Sequence, residues 1–274
     1  MPNFLISLTS VPKRILTSLP AVLDSLCAQT IKAEVVLCLP EIYKKWGRFN
    51  SSKLINIPNH IQVYQPKEDY GPATKLLGAL EYSKNRDFDY IITIDDDVIF
   101  SNKHYLEYLT SFTRLEEDAC WTIGGIRLNM WPYHNKFGLQ YDYKFKSVDI
   151  VRGVSGTVYP LKHLAHSKIP FDLRFSLPEG CFNDDDAYFG AVLYNLGIPI
   201  ISLPQMPGNC VIELPSSGGS AVVENTFVDR RTNESRIFRH FVRQGMIGHG
   251  VFRKSLPPSL VSSLRSHYKT FHSS

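Results

Sequence analysis

Three consecutive carboxylates, Asp95-Asp96-Asp97, follow directly on Tyr90-Ile91-Ile92-Thr93-Ile94. Such a β-branched run suits a strand buried on both faces, and acids at its end repel one another unless a cation neutralises them. If the strand continues, Asp95 and Asp97 project to one side and Asp96 to the other. A hard divalent ion with oxygen ligands, Mg²⁺ or Mn²⁺, is the simplest reason for the cluster. The plain alternative is a solvated turn that caps a helix. A second acidic group, Asn183-Asp184-Asp185-Asp186, precedes Ala187-Tyr188-Phe189-Gly190. Acids at a helix start complement the macrodipole; one at the mouth of a site, facing a bound donor, can also serve as a general base.

The elements that must position these acids are legible as an alternation. Phe4–Leu8, Glu34–Leu39, Ile61–Tyr64, Tyr90–Ile94 and Trp121–Ile123 read as strands. Between them Ile15–Ala28 reads as a helix with Leu16, Leu19, Leu23 and Leu26 on one stripe, a second helix opens near Pro72, and a third covers about 102–117. Strand–helix alternation predicts an α/β fold with a mostly parallel sheet and helices on both faces, whose ligands bind at the carboxyl ends of the strands. Residues 126–147, rich in aromatic residues and Asn, read as an inserted loop or hairpin over a site. Asp184–Asn195 reads as a helix, Pro199–Leu203 as a strand and Glu234–Arg243 as an amphipathic helix; Pro257-Pro258 is expected to end regular structure.

With 274 residues, 20% charged and 12% aromatic, the chain can bury a full core and is not of disordered composition. No run of eighteen apolar residues occurs, and the start lacks the basic region of a secretory signal. Five cysteines without a CxxC pair argue against structural zinc or a disulfide framework, so a cytoplasmic location is expected. The net charge of +4 is uneven: from Arg230 onward nine Lys or Arg face one acid, a local +8 that leaves −4 for residues 1–229. A carboxylate-lined body suggests a metal or sugar site, and a basic tail suggests an anionic partner.

At this point the residues carry a resemblance. Ile94-Asp95-Asp96-Asp97-Val98 resembles the DxD motif of GT-A glycosyltransferases, and Asp185-Asp186-Ala187-Tyr188-Phe189-Gly190 is similar to the acidic motif of inverting branches of that superfamily. Leu8–Ile15, Asp69–Lys75 and Gly153–Pro160 resemble a narrower bacterial and large-virus group. The five segments occur in the expected order over residues 5–190, and the remainder matches no known pattern. The resemblance implies a GT-A (Rossmann-like) domain over 1–229, with a nucleotide-binding part (1–125), an acceptor-binding part (126–229) carrying a small second sheet or hairpin, and a basic extension over 230–274. It implies transfer of a hexosyl or deoxyhexosyl unit from a UDP-, GDP- or dTDP-sugar to a glycan or glycolipid hydroxyl, with Mn²⁺ or Mg²⁺ and inversion.

The resemblance also implies roles. Thr9, Ser10 and Arg14 meet the nucleotide; Lys75 reaches a donor phosphate as a point charge; Asp69 accepts from base or ribose; Gly71, with Pro72, lets backbone approach the ligand. Asp97 binds the metal, with Asp95 on the ribose or a metal-bound water, and Asp96 joins the donor-binding set. Asp186 removes the acceptor proton, with Asp185 as the fallback base, because spacing does not separate neighbours. Gly153 and Gly156 bring a loop close to sugar or acceptor, and Trp131, Tyr133 and Tyr141 suit stacking on a sugar ring. His249 is a candidate third metal ligand, because related enzymes often supply a C-terminal histidine; His163 and His166 read as surface residues.

Rival chemistries lack a needed feature. An aspartyl phosphotransferase carries its acids after the first strand, a serine hydrolase needs Gly-x-Ser-x-Gly, and a calcium loop needs an oxygen where Ile99 stands. The remaining alternative is a carbohydrate-binding or degenerate transferase-like module without turnover. For the basic segment 230–254 no nucleic-acid motif is present and no nucleic-acid partner is expected. Arg236, Arg239 and Arg243 beside Ile237, Phe238, Phe241 and Val242 predict instead a peripheral contact with anionic lipid.

Overall fold

The computed structural model describes residues 2–49, 57–129, 138–141, 144–215, 236–241, 243–244 and 255–271. The chain opens with β1 (Phe4–Thr9), buried along almost its whole length, and continues into α1 (Pro12–Ile15) and α2 (Leu19–Cys27). The single helix expected over Ile15–Ala28 is therefore two. Pro20 explains the break, since inside a helix its ring would clash with the carbonyl of Leu16 and its missing N–H would leave that carbonyl unbonded. Leu16 falls in the break and is 57% exposed, so the buried stripe is Leu19, Val22, Leu23 and Leu26.

Next come β2 (Glu34–Cys38), a small hairpin of β3 (Ile42–Tyr43) and β4 (Gly47–Arg48), β5 (Ile61–Tyr64), α3 (Thr74–Tyr82), β6 (Tyr90–Thr93), β7 (Val98–Phe100), α4 (Tyr105–Ser111) and β8 (Cys120–Ile123). The less regular half supplies β9 (Gly125–Asn129), β10 (Gly138–Tyr141), β11 (Lys146–Val148), β12 (Ile150–Val151), β13 (Thr157–Pro160), α5 (Leu161–Leu164), α6 (Ile169–Phe175), α7 (Asp185–Asn195), β14 (Ile200–Leu203), β15 (Val211–Glu213) and α8 (Pro258–Thr270).

Eight strands form one sheet in the order β11-β14-β8-β13-β6-β1-β2-β5. All run parallel except β13, antiparallel to both β6 and β8, and β11, antiparallel to β14. The expected hairpin is present as β9–β10, which joins β12 in a three-stranded antiparallel sheet, and β7 pairs with β15 in another small sheet.

Side chains alternate between two cores, as a strand's period of two demands. Leu5, Val36, Ile91, Cys120 and Ile200 meet α3 and α7 on one face. Ile6, Leu37, Ile92, Trp121 and Ile201 meet α2 and α4 on the other. This is why β6 reads as an unbroken apolar run.

Two expectations for the basic end are corrected. Residues 236–241 are helical, but Ile237, Phe238 and Phe241 are buried in the α3/α7 core, so they are not available to a bilayer. An amphipathic pattern says that one face is covered, not by what. Pro258 does not end regular structure; it opens α8, where a first-turn proline loses no bond. Leu264 of α8 is buried in the second core, and Tyr268 and Phe271 pack on Tyr108 of α4. Among the described residues no helix is long and apolar enough to cross a membrane.

Candidate active site

Both acidic groups lie beside the carboxyl end of the sheet, where β1 and β6 run side by side. The condition for strand alternation among these acids is not met: β6 stops at Thr93 and the chain turns at 96–97. Asp96, expected to face away, points inward and is 5% exposed. Its Oδ2 accepts from Ser10 Oγ at 2.5 Å, its Oδ1 from Arg14 Nη1 at 2.6 Å, and its backbone carbonyl from Ser18 Oγ at 3.0 Å. The second arm of Arg14 reaches Asp97 Oδ2 at 2.9 Å. One guanidinium thus joins two neighbouring carboxylates, using the forked donor geometry that lysine lacks.

Electrostatics follow from this crowding. Burial works against the Arg14 charge, but Asp96 and Asp97 outweigh it and the pKa of Arg14 is raised. Burial raises the pKa of Asp96 despite Arg14 and Ser10. Asp97 is pushed up to about 6, chiefly by burial; Arg14 opposes the shift, and Asp95 and Asp96 add to it.

Lys75 connects this turn to the second acidic group. It sits in the first turn of α3, 4% exposed, with Nζ at 2.5 Å from Asp95 Oδ1 and 2.7 Å from Asp185 Oδ2. Burial disfavours its charge, but Asp185, Asp95 and Asp186 prevail and its pKa is raised. Asp185 and Asp186 open α7, and Asp186 Oδ1 accepts the Gly153 N–H at 2.9 Å. Two glycines make this packing possible. A Cβ on Gly153 would lie 2.8 Å from that carboxylate oxygen, and one on Gly190 would lie 2.5 Å from the Asp149 carbonyl, holding α7 away from the chain before β12.

Other predicted site residues are engaged with the protein itself. Thr9 Oγ1 donates to the Cys38 carbonyl at 2.7 Å, tying β1 to β2. Asp69 accepts the backbone N–H groups of Lys44 at 2.7 Å and Gly71 at 2.8 Å, so it fixes two loops. Gly71 has φ +60°, and a Cβ there would meet Phe182 Cε1 at 2.6 Å; its close neighbour is a ring of this chain. Gly156 also has positive φ and ends the short turn after Gly153. His163 is a surface residue paired with Asp118. His249, Trp131 and Tyr133 lie outside the described residues, and Tyr141 is described only as part of the β10 backbone.

Sequence reasoning missed three residues that hold the site. Tyr43 Oη donates to the Ser10 carbonyl at 2.9 Å. Phe182 covers Gly71. Arg174, buried in α6, bonds the carbonyls of Tyr70 and Phe182. None belongs to a recognisable motif, and no spacing in the sequence points to them.

For a divalent cation the described residues offer a partial set. No group of three or more His, Cys, Asp or Glu side chains among them is arranged to hold a metal alone. Asp97, however, is a partly exposed carboxylate beside two others, Asp95 and Asp96, and Arg14 and Lys75 are the cations ion-paired with the three. An ion that takes one or two carboxylates and completes its shell from substrate phosphates and water fits this set; an all-protein cage does not.

Sheet order and layers define a mixed α/β fold: one eight-stranded, mostly parallel sheet flanked by helices and by small antiparallel sheets. Among solved structures the chain is similar to the mannosyltransferase PcManGT from Pyrobaculum calidifontis in complex with GDP-Man and Mn²⁺, with a TM-score of 0.55 and 13% identity over 99% of this chain and 70% of that one. S. aureus TarS 1-349 in complex with UDP-GlcNAc gives 0.54 at 14% identity, covering 98% and 72%. A longer S. aureus TarS chain gives 0.51 at 14% identity, covering 99% of this chain and 44% of that one. At such identities the likeness is one of fold. No protein-family model and no curated protein matches the sequence.

Proposed function

We propose that the protein is a glycosyltransferase that moves a sugar from a nucleoside-diphosphate donor to a hydroxyl of a glycan or lipid-linked acceptor, with inversion and with Mn²⁺ or Mg²⁺. The observation that carries this reading is the Lys75 bridge, 2.5 Å to Asp95 and 2.7 Å to Asp185, which holds the two acidic groups on one ammonium. Support comes from the fold shared with structures whose ligands are GDP-Man with Mn²⁺ and UDP-GlcNAc. In this reading residues 1–125 hold the donor and 126–229 the acceptor.

Asp97, with Asp95 nearby, would hold the divalent ion, which would supply Lewis-acid stabilisation of the leaving diphosphate. Arg14 favours the ionised forms of Asp96 and Asp97 against their burial and holds the two close together. Lys75 uses two N–H groups on Asp95 and Asp185 and offers the third to a phosphate oxygen. Asp186, one oxygen fixed by the Gly153 amide, takes the acceptor hydroxyl's proton as that oxygen bonds to the anomeric carbon. The bond from that carbon to the phosphate oxygen breaks, and the diphosphate leaves with the electron pair. Asp186 is preferred over Asp185 because Asp185 is committed to Lys75.

A thermal-shift series with UDP-, GDP- and dTDP-sugars tests the reading. One donor class is expected to raise the melting temperature with Mn²⁺ and to lose that effect with chelator. No shift with any donor, with or without metal, would sink it. Slow hydrolysis of the bound donor that requires Mn²⁺ and Asp97 would exclude the non-catalytic binding module.

A further inference from the structure

Arg174 is an unusual residue to bury. It lies in α6, is 5% exposed, and among the described residues its Nε and Nη1 have no hydrogen-bond partner. Burial lowers its pKa; Tyr188, Asp185, Asp69 and Asp184 offset this only in part. A buried cation without a direct ion pair is costly, and an arginine serving only to fill space is better replaced by an apolar side chain.

What Arg174 does hold is specific. Its Nη2 donates to the Tyr70 carbonyl and, at 2.6 Å, to the Phe182 carbonyl. Its Cζ stands 4.4 Å from the Phe182 ring centroid, and the ammonium of Lys44 stands 4.6 Å from the same centroid. Phe182 in turn rests on Gly71. The loop carrying Tyr70-Gly71 leads within a few residues to Lys75, and the loop carrying Phe182 leads within a few residues to Asp185 and Asp186. One guanidinium therefore clamps the two loops that deliver the bridging lysine and the base.

We propose that Arg174 is a positioning residue: through the Tyr70 and Phe182 carbonyls it sets the placement of Asp186 relative to Lys75 and the donor it holds. The inference rests on the glycosyltransferase reading for its kinetic consequence, while the clamp itself stands on geometry. Arg174 touches no reacting atom in this scheme. Its loss acts on the alignment of the base, where a misplacement of about 1 Å costs about 10²-fold in rate.

The test uses the full chain with Arg174→Met, which keeps length and apolar bulk, and Arg174→Lys, which restores a donor. Arg174→Met is expected to lower kcat about 10²-fold, with the donor Kd from thermal shift changed less than about threefold; Arg174→Lys recovers part of the loss. Hydrogen exchange is the readout independent of activity. In Arg174→Met the amides of Gly71, Cys181 and Asp184, all hydrogen-bonded, exchange faster together, while those of β1 and β2 do not change. Unchanged kcat in an active protein, a donor affinity that falls in step with kcat, or loosening of one loop without the other would overturn the proposal. A wild type without transfer or donor hydrolysis removes the glycosyltransferase reading and the kinetic claim, and the exchange data then decide the clamp alone.

Discussion

The two acidic groups are built of the same residue type and held in opposite ways. In the turn after β6, Asp96 and Asp97 are gripped by side chains, Ser10 and both arms of Arg14, and both carboxylates keep raised pKa values. At the start of α7, Asp186 is held by a backbone amide and Asp185 by the shared Lys75. Cationic side chains compensate the turn acids, which suits ligands that bring further charge. At the α7 carboxylate a backbone amide supplies the direct hydrogen bond, while the nearby Lys75 ammonium acts on Asp186 through its charge. Under the proposed function this contrast would let adjacent clusters serve binding and proton transfer separately.

The strongest challenge to that division is Lys75→Met, which removes the cation both groups share. Leaving Asp95 and Asp185 without it is expected to cost about 3–5 kcal/mol of stability, read from urea unfolding, and to abolish transfer. Asp186→Asn is the sharper cut: transfer is expected to fall about 10²- to 10⁴-fold with donor binding within about twofold, whereas Asp185→Asn loses stability as well. Equal kinetic and thermal losses for the two variants would erase the distinction within α7. Gly153→Ala presses a methyl group against Asp186 Oδ1 and is expected to lower stability by about 1–3 kcal/mol, seen as a lower melting temperature.

The smallest effect concerns Asp97. Its folded-state pKa of about 6 exceeds the ordinary 3.8, so between these values the folded protein binds more protons than the unfolded chain, and stability falls as pH rises through that window. Asp97→Asn removes this titration. Its stability relative to wild type should therefore improve between pH 4 and pH 6, by on the order of 1 kcal/mol after allowance for partial exposure, and stay constant above. Metal-promoted donor binding by the wild type should weaken as pH falls through about 6, because protonation competes with the ion. A pH-independent difference between variant and wild type would contradict the raised pKa.

Much of the architecture was legible because local pattern and tertiary packing agree. The β-branched run of β6 reads as a doubly covered strand from residues within one short stretch, and side chains from it do enter both cores. The inward turn of Asp96 was not legible, since its direction is set by Ser10 and Arg14, more than eighty residues earlier. The break between α1 and α2 was readable from Pro20 and was overridden by the leucine spacing. Residues 237, 238 and 241 mislead for another reason, as a helix face covered by protein and one covered by lipid have the same periodicity. Arg174 belongs to no motif, because its partners are backbone carbonyls, which any residue supplies.

The docking of α8 bears on how the chain acquires its fold. His267 lies 2.8 Å from Ser111 across 156 residues of sequence, so this contact closes a long stretch of chain, at an entropic cost that rises with its length. Without it the rings of Tyr108 and Phe112 lack their cover from Phe271 and His267. Any state in which α8 is undocked therefore bares an aromatic flank, and self-association from that state should grow with protein concentration.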